Sequence, residues 1–559
     1  MIDLRGQKPR IIVSYRRINV KPGELPIPSG KDGAQYIAAL DFDGNILQDR
    51  RITDEPLFKQ VLPNHALFNQ LHRNRASLLL DGDLVYVAFA GRCEAGSFFA
   101  KKRYQGWVFA FNSDDLSFAG LYRSTPQTAG VQEPSDDPIA GGGIWQATTG
   151  LAADGHGNLY FATGNQYRCS VRADDPNNIM CSPPDPAGKN LSNSIVRLRV
   201  DPSPGGAPRS ISMTPKDWFT PYRKTWLDAN DLDFASAGVV LIPNTKYLVA
   251  GGKDGMMYVL DRGHLGKADG MNFDDAATLM EEGHTSGERV GIDNLKRDIV
   301  VQKFQAAQNQ YCEVRPDPLY CGPLRTNPPP EPGVVTNRWP PWPHIHGTPV
   351  FGAFRDGRAF LYLWAEKDFL KSFRWWGRRF DTAGFDTAGK VATNQLVNKI
   401  ATNKLGKKVL APPWLPNEKT PVGSGSAGMP GGMLSLSIDP NQLAEGVLFA
   451  SVQRCRPTKN DASFNLEKED PVFHECDVED CRNSKPEFAQ CGQQRFGMLR
   501  AFDPFTLHEL WNNQTDLFVP DPKLKSYYFV KFVPPTIARN RVFLPTASRR
   551  VLVYGLRQD

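Results

Sequence analysis

The chain has no run of about 18 apolar residues, so it offers no transmembrane helix. Charge of one sign is also scarce. Lys and Arg number 66 against 60 Asp and Glu, a net +6 spread over 559 residues, which argues against a nucleic-acid partner. No phosphate-binding G-x-x-x-x-G-K-S/T loop, G-x-S-x-G elbow or H-E-x-x-H pair is present. Without C-x-x-C-H there is no c-type haem attachment. Long helical periodicity is rare; Asn394–Lys407 alone reads as an amphipathic helix. The start, Met1-Ile2-Asp3-Leu4-Arg5, carries no apolar stretch of a secretory signal.

What the chain does have is turns and short apolar runs. There are 49 Gly and 45 Pro, and aromatic residues make up 11%. This composition favours short strands joined by tight turns. The stretch Val239–Arg262 is the pattern in miniature. Runs at Val239–Ile242 and Tyr247–Ala250 lead into Gly251-Gly252-Lys253-Asp254-Gly255, and Met256–Leu260 follows. Glycine supplies the positive φ of a tight turn, and the intervening Asp can bond its own backbone. Comparable runs are Tyr36–Leu40, Ser77–Leu80 with Leu84–Ala90, Gly106–Phe111 with Phe118–Arg123, and Gly150–Ala153 with Leu159–Thr163. Others are Ser194–Val200, Thr348–Phe354, Arg358–Trp364, Leu370–Trp375, Met433–Ile438, Val447–Val452, Met498–Phe502, Tyr528–Phe532, Val542–Leu544 and Val551–Tyr554.

An all-β chain of this length can avoid exposed sheet edges by radial repetition of four-stranded blades. At roughly 40–70 residues per blade, the strands predict a β-propeller of about six to eight blades. A pair of sandwiches or a solenoid is the alternative. The expected domain is 1–559, with a Pro-rich loop at 313–346 and a charged, Cys-rich insertion at 454–495.

The nine cysteines sit mostly in loop-like sequence: Cys169 and Cys181, Cys312 and Cys321, then Cys455, Cys476, Cys481 and Cys491, with Cys93 left over. Disulfides stapling surface loops are the reading, and they imply an oxidising compartment, periplasmic or extracellular. Zinc is the alternative for the last four, although they contain no C-x-x-C pair. The missing signal conflicts with export: either the start is cut back from a longer one, which is the preferred reading, or the protein is cytosolic and the cysteines are free.

The segment Ala501–Trp511, AFDPFTLHELW, resembles the tryptophan-docking repeat of pyrroloquinoline-quinone (PQQ) dehydrogenase propellers, with Leu507 where Gly is usual. Echoes occur at Ala39-Leu40-Asp41 and Ala110-Phe111-Asn112. Gly142-Gly143-Ile144-Trp145 and Thr163-Gly164-Asn165 resemble the family's tryptophan floor and TGN turn. The resemblance implies that Trp145 stacks on the quinone and that Asn165 ligates calcium. Trp218-Phe219-Thr220-Pro221, Trp226 and Asp231-Leu232-Asp233-Phe234 resemble the segment of the catalytic aspartate. Asp231 is the nearest match and Asp233 the rival register. Gly252–Gly255 resembles the turn that sets a basic residue, here Lys253, on the quinone oxygens. The implied cofactors are PQQ and calcium, and the implied substrate is an alcohol or sugar hydroxyl. Two features depart from the pattern. The family's alcohol dehydrogenases join adjacent cysteines where this chain has only Cys93. They also carry a glutamate calcium ligand where this chain has Lys101.

Each of these residues also has a plain structural role. Trp145 would serve as a blade-packing aromatic, Asn165 as a left-handed turn residue, Asp231 as part of a polar turn and Lys253 as a solvated bend residue. His344 and His346, two apart, face one way in a strand and could seed a metal site, but no third ligand can be named. Glu366 reads as a turn residue. The lysines and arginines of Lys371–Arg379 read as a strand's exposed basic face. Two functions stay open: a quinoprotein oxidoreductase with a small-molecule substrate and a separate electron acceptor, and a non-catalytic propeller that binds a ligand or a protein.

Overall fold

In a computed structural model, the described residues are 2–3, 9–18, 33–61, 68–69, 72–91, 104–126, 141–166, 171–172, 175–179, 188–202, 209–221, 224–229, 232–267, 300–307, 344–366, 370–381, 399–402, 408–411, 430–439, 441–442, 445–454, 496–513, 527–548 and 550–555. The fold is all-β, and its unit is the antiparallel propeller blade. Among the described residues there are seven sheets of three to five strands, besides two isolated strand pairs.

The strands divide between two compact units, Met1–Ala250 with Leu260–Val300, and Gly251–Val259 with Val301–Asp559. In the first unit, one sheet runs Ile2–Asp3, Arg10–Ile18, Gly33–Leu40, Ile46–Arg51. The next contains His72–Arg73, Leu79–Asp81, Leu84–Gly91, Trp107–Asn112 and Phe118–Arg123. A third runs Ala152–Ala153, Asn158–Ala162, Ile195–Pro202, Ile211–Phe219. These sheets stack face on face. Ile12, Ile37 and Ala39 of the first pack with Val85, Val87 and Trp107 of the second. The second sheet's Tyr86, Ala88 and Val108 pack in turn with Leu159, Val196 and Trp218 of the third.

A middle strand covered on both faces has to be apolar throughout, and Trp107–Asn112 is buried at every position. An outer strand faces water. Ile46 and Leu47, on Ile46–Arg51, are 59% and 51% exposed.

The second unit repeats the logic. Val350–Ala353, Ala359–Trp364 and Leu370–Arg374 form one sheet, and Met433–Ile438, Gly446–Arg454, Phe496–Phe502 and Glu509–Asn512 form the next. Thr536–Ala538, Arg541–Thr546 and Arg550–Gly555 form a third. Tyr362, Trp364, Leu434, Leu448 and Phe502 share the core between the first two. Trp511, the aromatic of the docking-type repeat, meets Tyr554 of the third sheet edge-on at 5.6 Å, so it bridges two blades.

The three sequence echoes share one local structure. At Ala39/Leu40, Ala110/Phe111 and Ala501/Phe502 the pairing to the next strand slips by a residue, a β-bulge. The Asp or Asn that follows each bulge then closes a turn. The Asp503 carboxylate accepts the Phe505 and Thr506 N–H groups at 2.9 and 2.7 Å, and Asp41 accepts those of Asp43 and Asn45 at 3.0 and 2.8 Å. In the two longer turns Leu507 and Leu116 sit at φ +56° and +52°, both fully buried. The left-handed conformation explains why glycine is expected there, and burial explains why leucine is found.

Three local expectations need correction. Asn394–Lys407 is not one helix: Lys399–Thr402 pairs as a strand with Lys408–Ala411. Tyr528–Phe532 is irregular; the strand lies at Thr536–Ala538. Pro534 and Pro535 precede that strand and cannot donate to a ladder. Lys371, expected on an exposed face, is buried and donates to the Ala306 carbonyl at 3.1 Å. All nine cysteines, Lys101, Asp231, nearly all of the Pro-rich loop and nearly all of the Cys-rich insertion lie outside the described residues.

Candidate functional site

Trp145 and Asn165 come together in the first unit because two glycine-rich segments cross. The Gly164 N–H donates to the Gly143 carbonyl and the Gly142 N–H to the Asn165 carbonyl, each at 2.8 Å. A Cβ on Gly164 would stand 2.5 Å from Asp233 Oδ1 and 3.0 Å from Trp145 Nε1. Only glycine allows that approach. The strip beyond Trp145 is tied to the segment beyond Asp233. The Gln146 N–H donates to the Ala235 carbonyl at 2.9 Å, and that of Ala147 to the Ser236 carbonyl at 3.2 Å.

Asp233, the rival register, stands at this site, while Asp231 lies outside the described residues. Asp233 Oδ1 accepts the Asn165 backbone N–H at 2.8 Å.

Asn165 opens a buried polar network. Its side-chain carbonyl accepts Asn193 Nδ2 at 2.9 Å, and the same Nδ2 also donates to Asp228 Oδ1 at 2.8 Å. Asn193 adopts φ +44°, and its Oδ1 accepts the Phe234 N–H at 2.8 Å. Asp228 Oδ1 also takes the Gln166 N–H at 2.9 Å. On the helix Lys224–Ala229, the i,i+4 spacing sets the Lys224 ammonium 2.5 Å from Asp228 Oδ2, with both side chains almost wholly buried. Lys224 also donates to Gln166 Oε1 at 3.3 Å. Burial pushes the Asp228 carboxyl above the usual carboxylate range, while the Lys224 ammonium draws it back. Lys224, Asn193 and Gln166 were not singled out by sequence reasoning. The one signal for Lys224 was its spacing from Asp228.

A calcium ion takes six to eight oxygen ligands, with carboxylates prominent among them. Here one of the two carboxylates already holds an ammonium, and the Asn165 carbonyl is engaged by an amide. An ammonium inside the network repels a second cation. Among the described residues this donor set does not fit calcium.

Trp145 keeps a partly exposed ring. Tyr104 meets it edge-on at 6.4 Å, and the Arg75 guanidinium lies 5.0 Å from the ring centroid. Its Nε1 is buried and has no hydrogen-bond acceptor. Indole N–H is a donor only, and its hydrogen-bonding capacity is unmet among the described residues.

Lys253 is half-buried at the bend between Tyr247–Gly251 and Met256–Asp261, and it belongs to the second unit. The bend is closed by the Gly255 N–H donating to the Gly252 carbonyl at 3.0 Å, with Gly255 at φ +74°. Asp254 Oδ1 accepts the Met256 N–H at 3.1 Å.

No protein-family model matches the chain, and no curated protein does. Among solved structures, it is similar to the quinohemoprotein alcohol dehydrogenase ADHIIG of Pseudomonas putida HK5, at 13% identity and a TM-score of 0.30, over 91% of this chain and 52% of that one. A quinohemoprotein alcohol dehydrogenase from Comamonas testosteroni matches at 13% and 0.29, over 91% and 53%. A europium-containing methanol dehydrogenase matches at 12% and 0.30, over 91% and 61%. The chain spans about half the length of the first two. Among the described residues no helix is long and apolar enough to cross a membrane.

Proposed function

We propose that the protein is a ligand-binding propeller whose first unit recognises a planar, anionic small molecule at Trp145, without calcium chemistry. The observation that carries this reading is the partly exposed Trp145 ring with the Arg75 guanidinium 5.0 Å from its centroid. An aromatic platform and a guanidinium suit a flat ligand bearing carboxylate or carbonyl oxygens. The ammonium of Lys224 already neutralises Asp228, which supports a network built for rigidity rather than for a metal.

A second reading, a quinoprotein oxidoreductase acting on an alcohol or sugar hydroxyl, is favoured by Trp145, Asn165 and Asp233 standing in one place. In that reading Asp233 or Asp231 serves as the base, and a separate electron acceptor is required. Under either reading the cysteine pattern supports an exported protein.

PQQ serves as the probe, being planar and polyanionic. The purified chain is titrated with PQQ, with and without calcium, following tryptophan fluorescence and dye-linked alcohol oxidation. Saturable quenching that ignores calcium, is lost in Trp145→Ala and brings no turnover supports the binding reading. Calcium-dependent turnover establishes the second. Quenching unchanged by Trp145→Ala overturns both.

A further inference from the structure

The second unit carries a separate cluster. His344 and His346 precede the strand Val350–Ala353, and Glu366 follows the strand Ala359–Trp364. These strands pair antiparallel with Val350 opposite Tyr362. Beyond the ladder the pairing shifts by two residues, so that the Glu366 N–H donates to the His344 carbonyl at 3.0 Å. Ile345 between the histidines is fully buried, and its N–H donates to the Gly252 carbonyl at 3.3 Å. Alternation along an extended chain turns both imidazoles to the side opposite Ile345.

The donor atoms converge. His346 Nε2 lies 2.9 Å and His344 Nδ1 3.6 Å from Glu366 Oε2, and the three ligand atoms lie within 4.8 Å of one another. Ligands sharing one zinc ion at about 2.0–2.1 Å stand about 3–3.5 Å apart, so small side-chain adjustments would close this set on a single ion. The imidazoles are buried and held, their rings meeting edge-on at 5.4 Å with Phe532 6.0 Å from His346. Glu366 is 14% exposed, which leaves a route from solvent.

We propose that His344, His346 and Glu366 bind one divalent transition metal of the zinc class. Two imidazoles and a carboxylate suit zinc and its neighbours rather than calcium or magnesium, which prefer oxygen throughout. Among the described residues the site supplies three protein ligands, the number that catalytic zinc sites use. The site is independent of Trp145 and of the ligand assigned to it.

The test uses the full chain, stripped with chelator and titrated with Co²⁺ as the spectroscopic probe and with Zn²⁺ in competition. The expected result is one Co²⁺ with visible d–d bands and no thiolate charge-transfer band, which separates this site from the nine cysteines. Glu366→Gln keeps the shape of the side chain and should weaken that binding more than about 10-fold, the loss that even an outer-shell change brings to a metal site. His346→Ala should abolish it. Circular dichroism checks that each variant is folded; should His346→Ala unfold, Glu366→Gln decides. Equal Co²⁺ uptake by wild type and Glu366→Gln overturns the assignment, as does a wild-type spectrum in which every bound Co²⁺ shows thiolate charge transfer.

Discussion

The Asn165 backbone N–H donates to the Asp233 carboxylate across 68 positions of sequence, at 2.8 Å. This bond, with Gly164 pressed against the same carboxylate, binds the TGN turn to the segment that follows the helix Lys224–Ala229. Removing the acceptor leaves a buried N–H without it. Asp233→Ala should cost about 1–3 kcal/mol in denaturant unfolding. Asp233→Asn, which keeps a carbonyl oxygen in place, should cost less.

Lys224 and Asp228 form an ion pair with side chains 1% and 0% exposed. Breaking one half strands the other charge. Lys224→Met should destabilise by about 3–5 kcal/mol. Lys224→Met combined with Asp228→Asn should cost clearly less than the sum of the single changes, because the stranded carboxylate is gone. A double-mutant cycle in urea measures the coupling, and additive effects would refute it.

His72 links acidification to unfolding. It is fully buried, its Nε2 accepts the Gln105 N–H at 3.1 Å and the Trp107 indole N–H at 3.2 Å, and Nδ1 faces the Phe68 carbonyl at 3.1 Å. Two donors on Nε2 assign the proton to Nδ1 and keep the ring neutral. Burial pushes the imidazole down from 6.5 to about 4. A depressed folded value means that the unfolded chain binds the extra proton first. The stabilisation is therefore present above pH 6.5 and is lost as pH falls towards 4, by about 3 kcal/mol at most. Unfolding free energy measured across that window should fall with acid in wild type and fall less steeply in His72→Gln.

Leu507 offers a test of backbone strain against burial. At φ +56° it lies where a side chain costs about 1–2 kcal/mol, yet it is fully buried. Leu507→Ala should lose about 2–5 kcal/mol. Leu507→Gly should lose no more than Leu507→Ala, reversing the order that these residues show in a helix interior. Thermal midpoints of the two variants decide it.

The all-β class and most of the blade strands were legible because their causes are local. Alternating and short apolar runs, Gly-bearing bends and the Asp or Asn after each bulge at Ala39, Ala110 and Ala501 act within about ten residues. Trp145 and Asn165 were singled out only through the resemblance of the glycine-rich turns that hold them, and the backbone bonds that bring those turns together are tertiary. What only tertiary structure decided rests on contacts between distant residues. Asp233 meets Asn165, Asn193 bridges Asn165 to Asp228, and Glu366 completes the histidine pair from 20 positions away. Strand alternation can say which way a side chain faces, but the partner across the ladder is set by register. Whether a carboxylate serves a metal or an ammonium depends on which buried charge the packing brings beside it.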